Sequence, residues 1–242
     1  MPSRLISTIE GTRLGRQELM AELLEDRPGA LWTLKAIEAD RLRESLPLWR
    51  VVIGVDPAVS SGEDSAEWGI VVVGMGPSPS GAGYPYHFYV IDDRSGKCSP
   101  LEAAASVLGA YKKHQADRVV AEVNNGGDLV EAVLRSVDLN FAYRPVRASH
   151  GKLTRAEPIT ELYEQHRVHH VGSFPTLEDQ MCDYVPTVSK SPDRMDALVW
   201  ALTELSDDYE QEMILDCYEP VSISPELDEM DRLADLMMPW DI

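Results

Sequence analysis

Positive charge is in short supply. The 242 residues include 22 Lys and Arg against 41 Asp and Glu, a formal net charge of −19. Taken whole, that balance argues against a nucleic-acid partner, but its distribution changes the reading. Residues 207–242 hold 12 acidic residues and one basic residue, Arg232, whereas residues 1–206 hold 29 and 21. Part of the remaining excess can be a cluster of carboxylates neutralised by metal. Cysteine is also scarce. Cys98, Cys182 and Cys217 are odd in number and widely spaced. That excludes a disulfide framework and a zinc pattern, and points to a reducing, intracellular setting. No apolar run approaches the roughly 18 residues of a membrane span, and Met1 to Glu10 lacks the apolar centre of a secretory signal. No Gly-x-x-x-x-Gly-Lys-Ser/Thr stretch is present, which excludes a phosphate-cradling P-loop in this sequence. Gly81-Ala82-Gly83 lacks both the lysine and the strand–helix context.

What is present is an ordinary globular composition, 44% hydrophobic and 26% charged, enough for one sizeable core. It is organised around Val51-Val52-Ile53-Gly54-Val55-Asp56-Pro57-Ala58. A continuous run of β-favouring residues is the signature of a strand buried on both faces. Pro57 has no N–H for a ladder, so the strand ends near Asp56 and leaves a carboxylate at its tip. The Asp-Pro pair also reads as a plain turn opener.

Residues 1–48 are polar and helical in pattern, with amphipathic helices over Arg13–Glu25 and Leu31–Arg43 broken at Pro28-Gly29. Such short helices form an arm that packs on something larger. Strands are predicted at Arg50–Asp56, Trp68–Gly74, Tyr86–Asp92, Asp117–Glu122 and Phe141–Val146, with a short piece over Arg167–Val171. Helices are predicted from Ser99-Pro100 to about His114, over Asp128–Val137, over Thr154–His166 with Thr154 and Glu157 as a capping box, over Thr176–Tyr184, and from Asp193 to about Leu205. Asn124-Asn125-Gly126-Gly127 turns the chain before the second of these. Three strands joined by turns predict an antiparallel meander, and strands reached through helices predict parallel neighbours of the first. The expected fold class is a mixed α/β sheet with helices on both faces.

Carboxylates fall at the ends of these elements: Asp56 after the first strand, Glu122 after the fourth, and Asp193 and Asp196 on the last helix. Sites in open α/β sheets form at the carboxyl ends of strands. Asp196 heads the apolar stripe of its helix with Val199 and Leu202, whereas an Asp at position 193 also serves the helix dipole. Clustered carboxylates repel one another and raise each other's pKa unless a cation neutralises them. Two hard cations about 3.5–4 Å apart on such a set can activate water and stabilise the leaving oxygen of a phosphodiester.

These residues resemble the nuclease domain of the large terminase subunit of tailed phages and gene transfer agents. The resemblance is carried by Val51–Ala58 (VVIGVDPA), Trp68–Gly74 (WGIVVVG), Ala121–Asp128 (AEVNNGGD), Lys152–Pro158 (KLTRAEP) and Ser191–Leu202 (SPDRMDALVWAL). Gly11–Leu24 resembles the segment joining a terminase ATPase to its nuclease. The resemblance implies a ribonuclease-H-like fold over residues 49–206, a linker arm over 1–48, and two divalent cations, Mg²⁺ or Mn²⁺. It makes Asp56, Glu122 and Asp196 both catalytic and metal-binding, with Asp56 bridging both cations and Asp193 and Asp64 in second rank. It implies cutting of concatemeric double-stranded DNA with little sequence preference, in the cytoplasm of a bacterial host. The implied partners are a portal protein, a small terminase subunit and a separate or deleted ATPase domain, with no membrane. A Holliday-junction-resolvase-like nuclease shares the triad, and a non-catalytic packaging-motor module is the other alternative.

The richest basic segment is Arg144–Arg167, where Arg147, Lys152 and Arg155 are the candidate DNA contacts and His150 lies between them. The same residues also read as a solvated helix start. His169-His170 resembles a metal pair without a third ligand at useful spacing and reads as structural. Residues 207–242 form an acidic tail with short apolar patches, a composition that folds onto partners. Its sign suits docking on a packaging partner such as the portal, or covering the basic groove. Truncation after Asp207 is expected to change plasmid cleavage or portal binding. Cleavage and binding both equal to the full chain would exclude this role.

Overall fold

Val51, Val52, Ile53 and Val55 are buried on both sides of a central strand, as a continuous apolar run requires. The computed structural model describes residues 27–57, 67–81, 83–123, 127–138, 140–147, 151–186, 188 and 192–217. The predicted helix over Arg13–Glu25, the turn at 124–126, Asp64, His150 and the tail beyond Cys217 lie outside the described residues. The elements are α1 (Leu34–Ala39), β1 (Arg50–Asp56), β2 (Gly69–Pro77), β3 (Tyr86–Asp93), α2 (Pro100–His114), β4 (Arg118–Glu122), α3 (Gly127–Val137), β5 (Tyr143–Val146), α4 (Lys152–Glu164), β6 (Val168–His170), α5 (Pro175–Asp183) and α6 (Asp193–Cys217). Among the described residues no helix is long and apolar enough to cross a membrane.

The six strands form one sheet in the order β5-β4-β1-β2-β3-β6. β1, β2 and β3 make the antiparallel meander, while β4 lies parallel to β1, β5 parallel to β4 and β6 parallel to β3. This is the expected mixed sheet, with the short piece after α4 closing the far edge as β6. One face carries Val51, Ile53 and Val55 against Ala103, Ala104 and Val107 of α2 and Val130 and Leu134 of α3. The other face receives α6.

Several boundaries differ from the sequence pattern: β2 runs on to Pro77, and β5 starts only at Tyr143. α4 starts at Lys152 with Gly151 as an extended N-cap and no side-chain cap bond, so Thr154 sits inside the first turn and makes no capping box. α6 runs to Cys217 rather than stopping near Leu205. The helix predicted over Leu31–Arg43 shrinks to α1, with a genuine Thr33 cap on Ala36 N–H. Trp32, Leu34 and Ile37 are buried, so this part of the arm packs on the body.

The β3–β6 edge is pinned by a buried polar network. His170 lies between the Tyr163 hydroxyl (2.8 Å) and Glu178 (2.9 Å), and Arg41 reaches Glu178 at 2.8 Å. Burial opposes ionisation of Glu178, but the bonds from His170 and Arg41 outweigh it and hold the carboxyl at about 2. The Asp40 carbonyl accepts from His169 Nδ1 at 2.9 Å, which leaves His169 Nε2 as acceptor for His87 Nδ1–H at 2.8 Å. His169 and His170 therefore spend all four ring nitrogens on protein groups. Burial, with His169 and Arg167 nearby, pushes the His87 imidazole down to about 4. Arg167 lies over the rings of Tyr84, Tyr86 and Phe88, at 4.4, 4.3 and 5.6 Å from their centroids.

Two measurements follow from this packing. A Cβ on Gly54 would stand 2.0 Å from the Ala197 carbonyl oxygen, so Gly54→Ala forces α6 off the sheet. The expected cost is at or above the upper end of overpacking penalties, about 3 kcal/mol by urea unfolding; a loss below about 0.5 kcal/mol would refute the close contact. His87 has its folded pKa depressed from 6.5 to about 4. The unfolded chain takes up that proton first, so the contribution of His87 is full above pH 6.5 and is lost as pH falls from 6.5 to about 4. The urea midpoint should drop across that window, and drop less in His87→Gln. Equal slopes in the two proteins would exclude the assignment.

Candidate active site at the carboxyl ends of β1 and β4

Side chains alternate along a strand, so Val55 and Asp56 point to opposite faces. Val55 packs with α2 and α3, which puts Asp56 on the α6 face with Gly54. β4 pairs Ala121 with Val55 in parallel register. Ala121 shares the Val55 face, so the next residue, Glu122, falls beside Asp56 on the α6 face. Strand register alone thus sets two carboxylates side by side.

α6 supplies the third. Gly69 is the register partner of Asp56, and a Cβ there would meet the Asp193 carbonyl oxygen at 2.0 Å and the Ala197 Cβ at 3.0 Å. The first turn of α6 therefore rests directly on the strand next to Asp56. Asp196 is 3% exposed. Trp200, one turn further on the same helix face, donates its indole N–H to Glu122 Oε2 at 3.0 Å. The stripe formed by Asp196, Val199 and Leu202 is buried as expected.

Glu122 has a second partner. Arg155, from the first turns of α4, approaches the same Oε2 at 3.3 Å and stacks its guanidinium 4.3 Å above the Trp200 ring. Asp193 begins α6, half-buried. Among the described residues no group of three or more His, Cys, Asp or Glu side chains is close enough to hold one metal ion. Shared strand ends and one helix turn bring Asp56, Glu122 and Asp196 to the same end of the sheet, and Glu122 is turned onto Arg155 and Trp200. The donors are carboxylate oxygens, the type that hard divalent cations take, so it is the chemistry of the donor set that fits such a cation.

The basic segment is divided among several tasks. Arg147 is exposed just after β5, and Lys152 opens α4 with its side chain outside the description. Arg144 is paired at 2.8 Å with Glu204, which also takes Arg118 and is 2% exposed as a side chain.

Two residues that sequence reasoning missed hold the site in place. Trp200 was within reach of the i, i+4 rule from Asp196, the signal that would have found it. Arg194 had no such signal, because its partners come from separate segments. Its guanidinium bonds Asp93 at 2.6 Å, Glu67 at 3.0 Å through Nε and the Ser95 carbonyl at 3.2 Å, while its backbone N–H reaches Gln180 at 3.2 Å. These bonds tie the first turn of α6 to β3, to α5 and to the segment preceding β2. Burial opposes the charge on Arg194, yet Glu67 and Asp93 hold its pKa above the ordinary value.

Solved structures similar to this chain include a large terminase and terminase nucleases. The large terminase of bacteriophage HK97 is 10% identical, with 72% of this chain and 43% of that chain covered and a TM-score of 0.50. The large terminase nuclease of thermophilic phage G20c is 13% identical, covering 73% of this chain and 98% of that one at a TM-score of 0.49. Its magnesium-bound form covers 74% and 98%, again at 13% identity and 0.49. The chain spans less than half of the HK97 protein. No curated protein matches. The model of the terminase RNaseH-like domain matches residues 53–205, from β1 into α6 and more than half of the chain. The chain belongs to the terminase RNaseH-like domain family.

Proposed function

We propose that this domain is a metal-dependent endonuclease that cuts concatemeric duplex DNA for packaging, with little sequence preference. The observation that carries the reading is the parallel register of β1 and β4 beneath the first turn of α6, which supplies one carboxylate from each element. Asp56, Glu122 and Asp196 would hold two divalent cations, Mg²⁺ or Mn²⁺, with Asp193 and Asp64 in second rank. When bound, such cations supply an activated water and stabilise the leaving oxygen of a phosphodiester. The protein's own residues do the rest. Burial of Asp196 fixes its direction, and the contact of α6 with β1 and β2 fixes the height of the helix above Asp56. Arg147 and Lys152 would take backbone phosphates, which gives salt-dependent and sequence-independent binding. Portal protein, small terminase subunit and an ATPase domain are the partners this role requires.

A non-catalytic module of the packaging motor is the second reading. The observation that favours it is Glu122 turned onto Arg155 and Trp200, away from any three-residue cluster. Plasmid cleavage by the purified chain with Mn²⁺, Mg²⁺ or EDTA separates the two. Nicking and linearisation with metal are expected, without preference for branched DNA. Asp56→Ala should lower the rate by more than about 100-fold, since a metal centre supplies several kcal/mol of transition-state stabilisation. A folded chain inactive with both metals would favour the assembly module.

A further inference from the structure

The contact between Arg155 and Glu122 has an unusual form. Guanidiniums frequently grip carboxylates through two short, parallel bonds. Arg155 makes a single approach of 3.3 Å to Oε2, and its Nε is buried with no partner among the described residues. The Arg155 side chain is 12% exposed and that of Glu122 14%, so little water offsets this shortfall. The guanidinium is held mainly by its stack on Trp200, whose own N–H is spent on the same carboxylate oxygen. Trp200 thus offers a flat rail along which a planar cation keeps its cation–π contact while its N–H groups change partner. A phosphate offers what Glu122 Oε2 does not: several oxygens in bidentate geometry. A divalent cation at Glu122 would also place like charges close together, which repels the guanidinium.

We infer that Arg155 is a movable counter-cation. It neutralises Glu122 while the site lacks metal, and it passes to a DNA backbone phosphate when the site loads, so that metal and DNA binding reinforce each other. This rests on Glu122 being a metal ligand. Arg155 is in this respect a positioning residue, acting on the site through Glu122 and Trp200. The coupling is reciprocal: whatever factor DNA adds to metal affinity, metal adds to DNA affinity.

The test is calorimetric titration of Mn²⁺ into the chain, alone and with a short duplex made cleavage-resistant by phosphorothioate linkages. In wild type the duplex should tighten Mn²⁺ binding by about 3- to 10-fold. Arg155→Gln should bind Mn²⁺ tighter by a similar factor without DNA and gain little from the duplex. Arg155→Lys keeps the charge and should retain the wild-type affinity without DNA. Equal or weaker Mn²⁺ affinity in a folded Arg155→Gln chain overturns the inference alone and leaves Glu122 as a ligand. Absence of Mn²⁺ binding in all proteins, with and without duplex, overturns it together with the proposed function. A second readout needs no substitution at Arg155. Mg²⁺ addition should change tryptophan emission in wild type and not in Trp200→Phe, and an emission unchanged at saturating Mg²⁺ overturns the inference.

Discussion

α6 lies against the sheet through its backbone rather than through a layer of side chains. At Gly54 and at Gly69, any Cβ would stand 2.0 Å from a carbonyl oxygen of that helix. Helix-on-sheet packing normally holds the two about a side chain apart; removing both Cβ atoms lets the first two turns of α6 settle onto β1 and β2. The consequence is chemical as well as steric. Asp196 and Trp200 project from a helix surface already touching the strands, and the Trp200 indole reaches Glu122 at the end of β4. With a larger residue at either glycine, the helix would ride higher and the three carboxylates would separate.

That closeness creates an electrostatic problem that the fold meets with arginines. The first turn of α6 carries Asp193 and Asp196, and Arg194 between them in the sequence bonds both Glu67 and Asp93. Glu204, three turns along the same helix, is buried and takes Arg118 and Arg144. Glu178 takes Arg41 and His170. A chain with a net charge of −19 thus commits several of its few arginines to buried acids. Burying such pairs is roughly neutral for stability, but leaving either partner alone is costly, so each network resists rearrangement.

Much of this architecture was legible in the sequence. The apolar run of β1, its stop at Pro57, and the meander of three turn-linked strands all follow from backbone preferences that act locally. Because β1 and β4 each end on a carboxylate, their parallel pairing was enough to make Asp56 and Glu122 neighbours. The start of α4 was not legible: Thr154 and Glu157 make a good capping box in isolation, and Gly151 adopts the cap geometry first. The length of α6 was missed because its acidic continuation resembles a solvated tail, yet Asp207 to Cys217 continues the helix. Arg194 and Arg155 were unreadable for another reason. Their partners lie on other elements, and a basic residue in a sequence does not say which acid it will meet. In the basic segment Arg144 and Arg155 each pair with a carboxylate, Glu204 and Glu122, that lies far away in the sequence.

The arginine contacts also differ among themselves, and the difference separates scaffold from moving part. Arg194 and Arg41 each spend several N–H groups on oxygens, with contacts of 2.6 and 2.8 Å among them. Charge-assisted bonds of that length and number are satisfied, and nothing is gained by leaving. Arg155 has one long contact, an unsatisfied Nε and an aromatic face that tolerates sliding. An unsatisfied buried donor costs free energy in the resting state. That cost lowers the barrier to any partner able to use all of its donors, and a phosphate is such a partner.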